Sequence, residues 1–249
     1  GFGLARDMMF GRSITRHGGA LRGWRSQRLH MASERLSVMV MFNHNASPGD
    51  AAKELVAAVL DVKEPVATGD LPIPTWFGTY IEPETGLSVR IGGRGRTVTL
   101  HYLNGPVDLT LQPDGSAVED GGTMRLRPTA DGLCLDIPED NQSSRLVPAN
   151  GVPSMDISGA YHCVDLDAVL TIANVGGTLY GACTGVLGDG RMELLQPIGK
   201  DIWAMPCPRG VDHFPPGDWT IDLKRDAGGK VTGLQLGCWL ARKFDYRRV

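Results

Sequence analysis

The sequence predicts an α+β fragment followed by two mainly antiparallel β-barrel domains. Two observations carry that expectation. A run of strands ends in a well-capped helix before residue 62, and after a proline-containing linker the chain turns into short alternating strands separated by Gly, Asp, Pro and Asn. The boundaries read as 1–62 for the fragment, 63–75 for the linker, 76–147 for the first barrel and 148–249 for the second.

The first region reads strand, strand, strand, helix. Ser13 to Leu21 is β-like, Gly23-Trp24 makes a turn, and Ser37-Val38-Met39-Val40-Met41-Phe42 is apolar on both faces, which predicts a central strand covered on each side. The helix opens with Ser47 as N-cap, Pro48 at its first position and Asp50 three residues past the cap. Ala52, Leu55, Val56, Val59 and Leu60 recur at three- and four-residue spacing and predict one buried face. These elements bury too little to stand alone, and an all-apolar central strand demands covering layers that the rest of the sequence does not supply.

Pro65, Pro72 and Pro74 bar a helix or central strand from the linker. Beyond it, Leu87, Val89 and Ile91, then Val98, Leu100 and Tyr102, then Leu133, Leu135 and Ile137 alternate with polar residues, and Asn104-Gly105, Asp114-Gly115 and Asp131-Gly132 favour tight hairpins. After Pro148 to Pro153, Gly159-Ala160-Tyr161 repeats Gly78-Thr79-Tyr80 at an offset of 81 residues, with Val89 and Ile91 falling on Leu170 and Ile172. The spacing predicts a duplicated barrel unit. Trp76, Tyr80, Trp203 and Trp239 are its expected core aromatics.

The 249 residues are 42% hydrophobic and 21% charged with a net charge of −3, so there is core enough for globular units and no basic surface for nucleic acid. No run approaches the ~20 apolar residues of a membrane span, and the first residues lack a signal-peptide pattern, although Gly1 is no natural start and a leader could precede it. Five scattered cysteines without a C-x-x-C pair predict reduced thiols and a cytoplasmic setting, with a periplasmic one as the alternative. No metal site is expected, since His30, His44, His101 and His162 lack ligand-spaced companions.

His17-Gly18-Gly19, with the strand, turn and capped helix that follow, resembles the third motif (Lys or His, any residue, Gly) of the penicillin-recognising serine hydrolases, the family of class C β-lactamases, DD-peptidases and D-aminopeptidases. The fragment at 1–62 would then be the C-terminal part of a β-lactamase/transpeptidase-like domain. The two lipocalin-like barrels make the D-aminopeptidase branch the nearest resemblance. It implies a serine hydrolase that releases an N-terminal D-residue from small peptides, amides or esters through an acyl-enzyme, with no cofactor. His17 would belong to the proton and substrate-orienting network, Gly18 and Gly19 would leave space for the substrate, and the Ala20 N–H would join the oxyanion hole.

The other two motifs depart from the pattern. No Ser is followed three places later by Lys, and Tyr102-Leu103-Asn104, which satisfies Tyr-x-Asn, comes after the His motif and reads as a strand end. The resemblance therefore assigns nucleophile and base to a partner segment, an N-terminal piece carrying Ser-x-x-Lys. It also implies that a loop of the last barrel, 206–217, enters the active site, with Arg209, Gly210, Val211, Asp212 and His213 setting specificity and Asp212 pairing with the substrate ammonium. Its prolines favour a defined loop independently of the family. A homodimer is compatible with the reading. The alternatives are a β-lactamase-like esterase, or a non-catalytic two-barrel module holding a small ligand.

Overall fold

A computed structural model describes residues 3–21, 23–44, 46–62, 71–103, 105–119, 124–138, 141–186, 188–207 and 217–249. The chain opens with a four-stranded antiparallel sheet, β1 (Ala5–Met9), β2 (Arg12–Leu21), β3 (Trp24–Met31) and β4 (Leu36–Phe42), in that spatial order. β1 is additional to the three strands the pattern predicts. Charged residues interrupt it, and it is held by pairing with Arg12 to Arg16 and by an Arg16 Nε–Asp7 Oδ2 ion pair of 2.8 Å.

Helix α1 (Pro48–Val59) lies over β3 and β4. Ser47 Oγ accepts the Asp50 N–H at 3.3 Å, satisfying one of the donors that a helix start leaves free. Ala52 and Val56 are buried against Ile14, Leu29, Met31 and Val40. Leu55 and Val59 are exposed, so the buried stripe is narrower than the spacing predicts: one underlying sheet covers only the residues that face it.

β4 is the edge of this sheet, not its middle. Val38, Val40 and Phe42 face α1, whereas Met39 and Met41 point to the opposite side and are 64% and 73% exposed. Within the described residues, one face of the sheet is packed and the other is open.

The first barrel is β5 (Gly78–Glu82), β6 (Leu87–Arg94), β7 (Thr97–Tyr102), β8 (Gly105–Leu111), β9 (Ala117–Glu119), β10 (Arg125–Thr129), β11 (Gly132–Ile137) and β12 (Gln142–Pro148), closed by pairing of β12 with β5 and of β9 with β10. Alternation sends Val89, Ile91, Val98, Leu100, Leu109, Leu126, Leu133 and Leu135 inward, and these side chains fill the interior.

The remaining strands are β13 (Gly159–Cys163), β14 (Ala168–Val175), β15 (Thr178–Gly185), β16 (Gly188–Asp189), β17 (Glu193–Leu194), β18 (Gln196–Gly199), β19 (Ile202–Met205), β20 (Trp219–Arg225), β21 (Val231–Gly237) and β22 (Phe244–Arg248). They form one curled sheet, a half-barrel rather than a continuously closed ladder. Its curl is drawn in by a bent stretch: β17 pairs with β15, the Leu195 N–H reaches the Leu179 carbonyl at 2.9 Å, and β18 pairs with β19. Pro197 in that stretch has no N–H to extend the ladder. Its core gathers Ile157, Tyr161, Leu170, Trp203, Ile221 and Tyr246.

The two units open on the same hairpin. Gly78 pairs with Ile91 and Tyr80 with Val89, as Gly159 pairs with Ile172 and Tyr161 with Leu170. Each tyrosine hydroxyl donates to the carbonyl four residues earlier, Tyr80 to Trp76 at 2.5 Å and Tyr161 to Ile157 at 2.6 Å. Both glycines have positive φ, 157° and 148°.

Candidate active site

Strand β2 carries His17, Gly18, Gly19 and Ala20 together. β1 pairs only with its first half, Arg12 to Arg16, so from His17 to Leu21 the strand has a ladder partner on the β3 side alone among the described residues. That free edge offers unpaired backbone groups to an extended chain laid beside it. Antiparallel register places His17 opposite Arg28 and Gly19 opposite Ser26, in rows that continue to Met39 and Met41 on β4. His17 therefore sits on the open face, away from α1, and is exposed. A β-carbon on Gly19 would stand 2.5 Å from Ser26 Oγ, so this position has no room for a side chain unless Ser26 shifts. Ala20 points the other way and is partly buried.

Residues 208–216 lie outside the described residues, and with them Arg209, Gly210, Val211, Asp212 and His213. The roots of that loop are described. β19 ends at Met205 and β20 begins at Trp219, the limits the sequence predicts. At the second root, Gly217 has φ 79° and a β-carbon there would come within 1.7 Å of the Leu103 carbonyl oxygen in the first barrel.

Tyr102 ends β7, and its hydroxyl donates to the buried Glu82 carboxylate, which also accepts from Thr85. Burial first, then this bond, holds the phenol well above its ordinary pKa, so Tyr102 is a strand-end core residue. Gly92 to Arg96 joins two strands, β6 and β7, and presents no helix start to an anion. Asp136 lies within β11 and pairs with Arg127 at 2.7 Å. Asp165 and Asp167 lie in a turn. Among the described residues no three His, Cys, Asp or Glu side chains gather as a metal site, and no helix is long and apolar enough to cross a membrane.

Residues that no motif singles out meet between the barrels. Ser88 and Arg90 alternate with the inward Leu87, Val89 and Ile91, which turns them outward toward Asp218 and Thr220 of β20 and its approach. His101 lies beside them; burial, then the Arg90 guanidinium, holds its imidazole below the usual histidine value. The alternation was the available signal for their direction. Nothing in the sequence pairs residues this far apart.

Comparison with known proteins places this architecture. A family model described as D-aminopeptidase, domain B, matches residues 71–247. Proteins named D-aminopeptidase match all of the chain: 47% identical over 261 residues in Gluconobacter oxydans, 44% over 252 in Cereibacter sphaeroides and 38% over 251 in Brucella melitensis. In each case the chain spans 48% of the relative's length. The chain belongs to the D-aminopeptidase family.

Proposed function

We propose that the complete protein is a serine hydrolase that releases an N-terminal D-amino acid from small peptides, amides or esters, and that this chain supplies one wall of its active site. One observation carries the reading: likeness along the whole chain to proteins named D-aminopeptidase. The free edge of β2 supports the placement of the site, because acyl transfer needs a backbone N–H aimed at the developing oxyanion and an extended strand to align the substrate.

A second segment, bearing Ser-x-x-Lys, supplies the nucleophile and its base. The relatives are about twice as long as this chain, and the sheet leaves an apolar face and the outer edge of β4 open, which is where further elements would pack. In the assembled site the serine oxygen attacks the substrate carbonyl, the amine departs with a proton, and water releases the D-amino acid from the acyl-enzyme. His17 orients the substrate and holds the proton network, Ala20 donates its N–H to the oxyanion, and the 206–217 loop limits the site to a small residue, Asp212 meeting its free ammonium. The thiols and composition suit a cytoplasmic enzyme.

Hydrolysis of D-alanine amide and L-alanine amide by the complete protein tests this. The D isomer should be cleaved with little action on the L isomer. Equal rates on both, or none on either, would remove the assignment.

A further inference from the structure

Arg28 lies on β3, an inner strand of the N-terminal sheet, directly between His17 of β2 and Met39 of β4 on the open face. Every other arginine of β2 and β3 is engaged. Arg12 Nε lies 2.7 Å from Glu34 Oε1, Arg16 Nε 2.8 Å from Asp7 Oδ2, and Arg25 Nη1 donates to the Leu21 and Trp24 carbonyls at 2.6 and 2.8 Å. Arg28 is exposed and makes no hydrogen bond or ion pair with a described residue. The rows beside it on this face, through His30 on one side and Ser26 on the other, hold no Asp or Glu, and Trp24, Met39 and Met41 make the surroundings apolar.

A segment that packs on Met39 takes its cross-strand neighbour Arg28 out of water with it. A guanidinium stays charged where a buried lysine or histidine would give up its proton, so it needs an opposite charge and partners for its N–H groups. A carboxylate meets both needs at once, because its two oxygens match the fork of donors. We propose that the segment covering this face carries an Asp or Glu that pairs with Arg28, and that this ion pair fixes where the segment sits beside His17. The occupant is the part by which the relatives exceed this chain, which spans 48% of their length. The proposal rests on the reading above that this part packs on the sheet and brings the nucleophile. A lone cation in an apolar field selects a surface with one acid among apolar side chains and rejects a wholly apolar one.

The test uses the complete protein and reads the thermal midpoint. Arg28→Met strands the buried carboxylate and should lower the midpoint by about 5 °C or more, with Arg28→Lys recovering part of the loss. Each Asp and Glu of the covering segment is then changed to Asn or Gln, in the parent and in Arg28→Met. One of them should cost as much as Arg28→Met in the parent and nothing further in the variant. Arg28→Lys replaces Arg28→Met in this cycle if the latter does not fold. Labelling by phenylglyoxal, followed by peptide mass spectrometry, reports cover: Arg28 should react far more slowly than Arg94, exposed on the first barrel. A protected Arg28 with no coupled acid, or a midpoint unchanged or raised in Arg28→Met, would overturn the proposal alone. An Arg28 that reacts as fast as Arg94 would defeat the reading that a segment covers this face, and the pair with it.

Discussion

The N-terminal sheet and the two barrel units are built from the same antiparallel hairpins, yet they finish differently. Each barrel unit surrounds its own core, and outward polar positions of the first, Ser88 and Arg90, bond across to the second. The sheet packs one face on α1 and leaves Leu21, Trp24, Met39 and Met41 exposed on the other side of its strands, beside His17. The difference separates a unit that closes on itself from one that leaves surface open. A unit that completes itself can act as a scaffold, whereas a unit with an apolar face and two free edges offers surface on which further elements can pack.

The largest expected effect falls on the unfinished half. In the complete protein, His17→Ala should lower kcat/KM for D-alanine amide by about 10²–10⁴, the range for a group in a catalytic proton network, while the thermal midpoint moves little because His17 is not part of the core packed between the sheet and α1. Steady-state kinetics with a melting curve decides it. A loss of activity matched by a loss of stability would make His17 a structural residue and erase the contrast with the barrels.

The finished half should respond in the opposite way. Leu126 has no exposed surface inside the first barrel, so Leu126→Ala should cost about 2–5 kcal/mol through lost burial and a residual cavity. Denaturant unfolding would measure it. In the fraction that stays folded, kcat should be close to the parent's.

A smaller effect concerns the second barrel unit. Arg225 binds Asp156 at 2.9 Å and Asp201 at 2.8 Å, and these hydrogen bonds hold both carboxyls below their usual pKa. A depressed folded value means that the contribution is present above the unfolded value near 3.9 and is lost as pH falls through the folded ones. With Asp156 60% exposed and screened, Arg225→Met should cost about 1–2 kcal/mol at neutral pH. Thermal midpoints of variant and parent should converge as the pH drops toward about 2. A constant gap across that range would mean that the arginine acts by packing alone.

The smallest expected change is a titration. His101 should titrate below about 6.5, and Arg90→Met should move its midpoint upward by removing the neighbouring positive charge. NMR of the imidazole would report it, and a downward movement would contradict the geometry between the barrels.

How much of this is legible in sequence follows from the range of the interactions. The N-cap of α1, the alternating barrel strands and the repeated Gly-x-Tyr hairpin are local patterns, and the structure contains each of them. The β1 strand escapes because Arg6 and Asp7 break its alternation and only its partner defines it. The two-sided apolar pattern of β4 predicts cover on both faces; among the described residues one face is covered and the strand lies at an edge, because an apolar run by itself records neither the strand order nor which face the helix takes. The Arg90–Asp218 pair, 128 residues apart in sequence, is set by how two folded units dock, which no short-range period records.

The central claim is that the open face of the sheet is completed by the segment that brings the nucleophile. Brief peroxide treatment of the complete folded protein, followed by peptide mass spectrometry of methionine sulfoxide, tests it most directly. Met31, fully buried, and Met155, 41% exposed before the second barrel unit, serve as slow and fast references. Met39 and Met41 should oxidise as slowly as Met31. Oxidation of both at the rate of Met155 would show that face open to solvent in the complete protein, and the account of a half completed by its missing partner would be wrong.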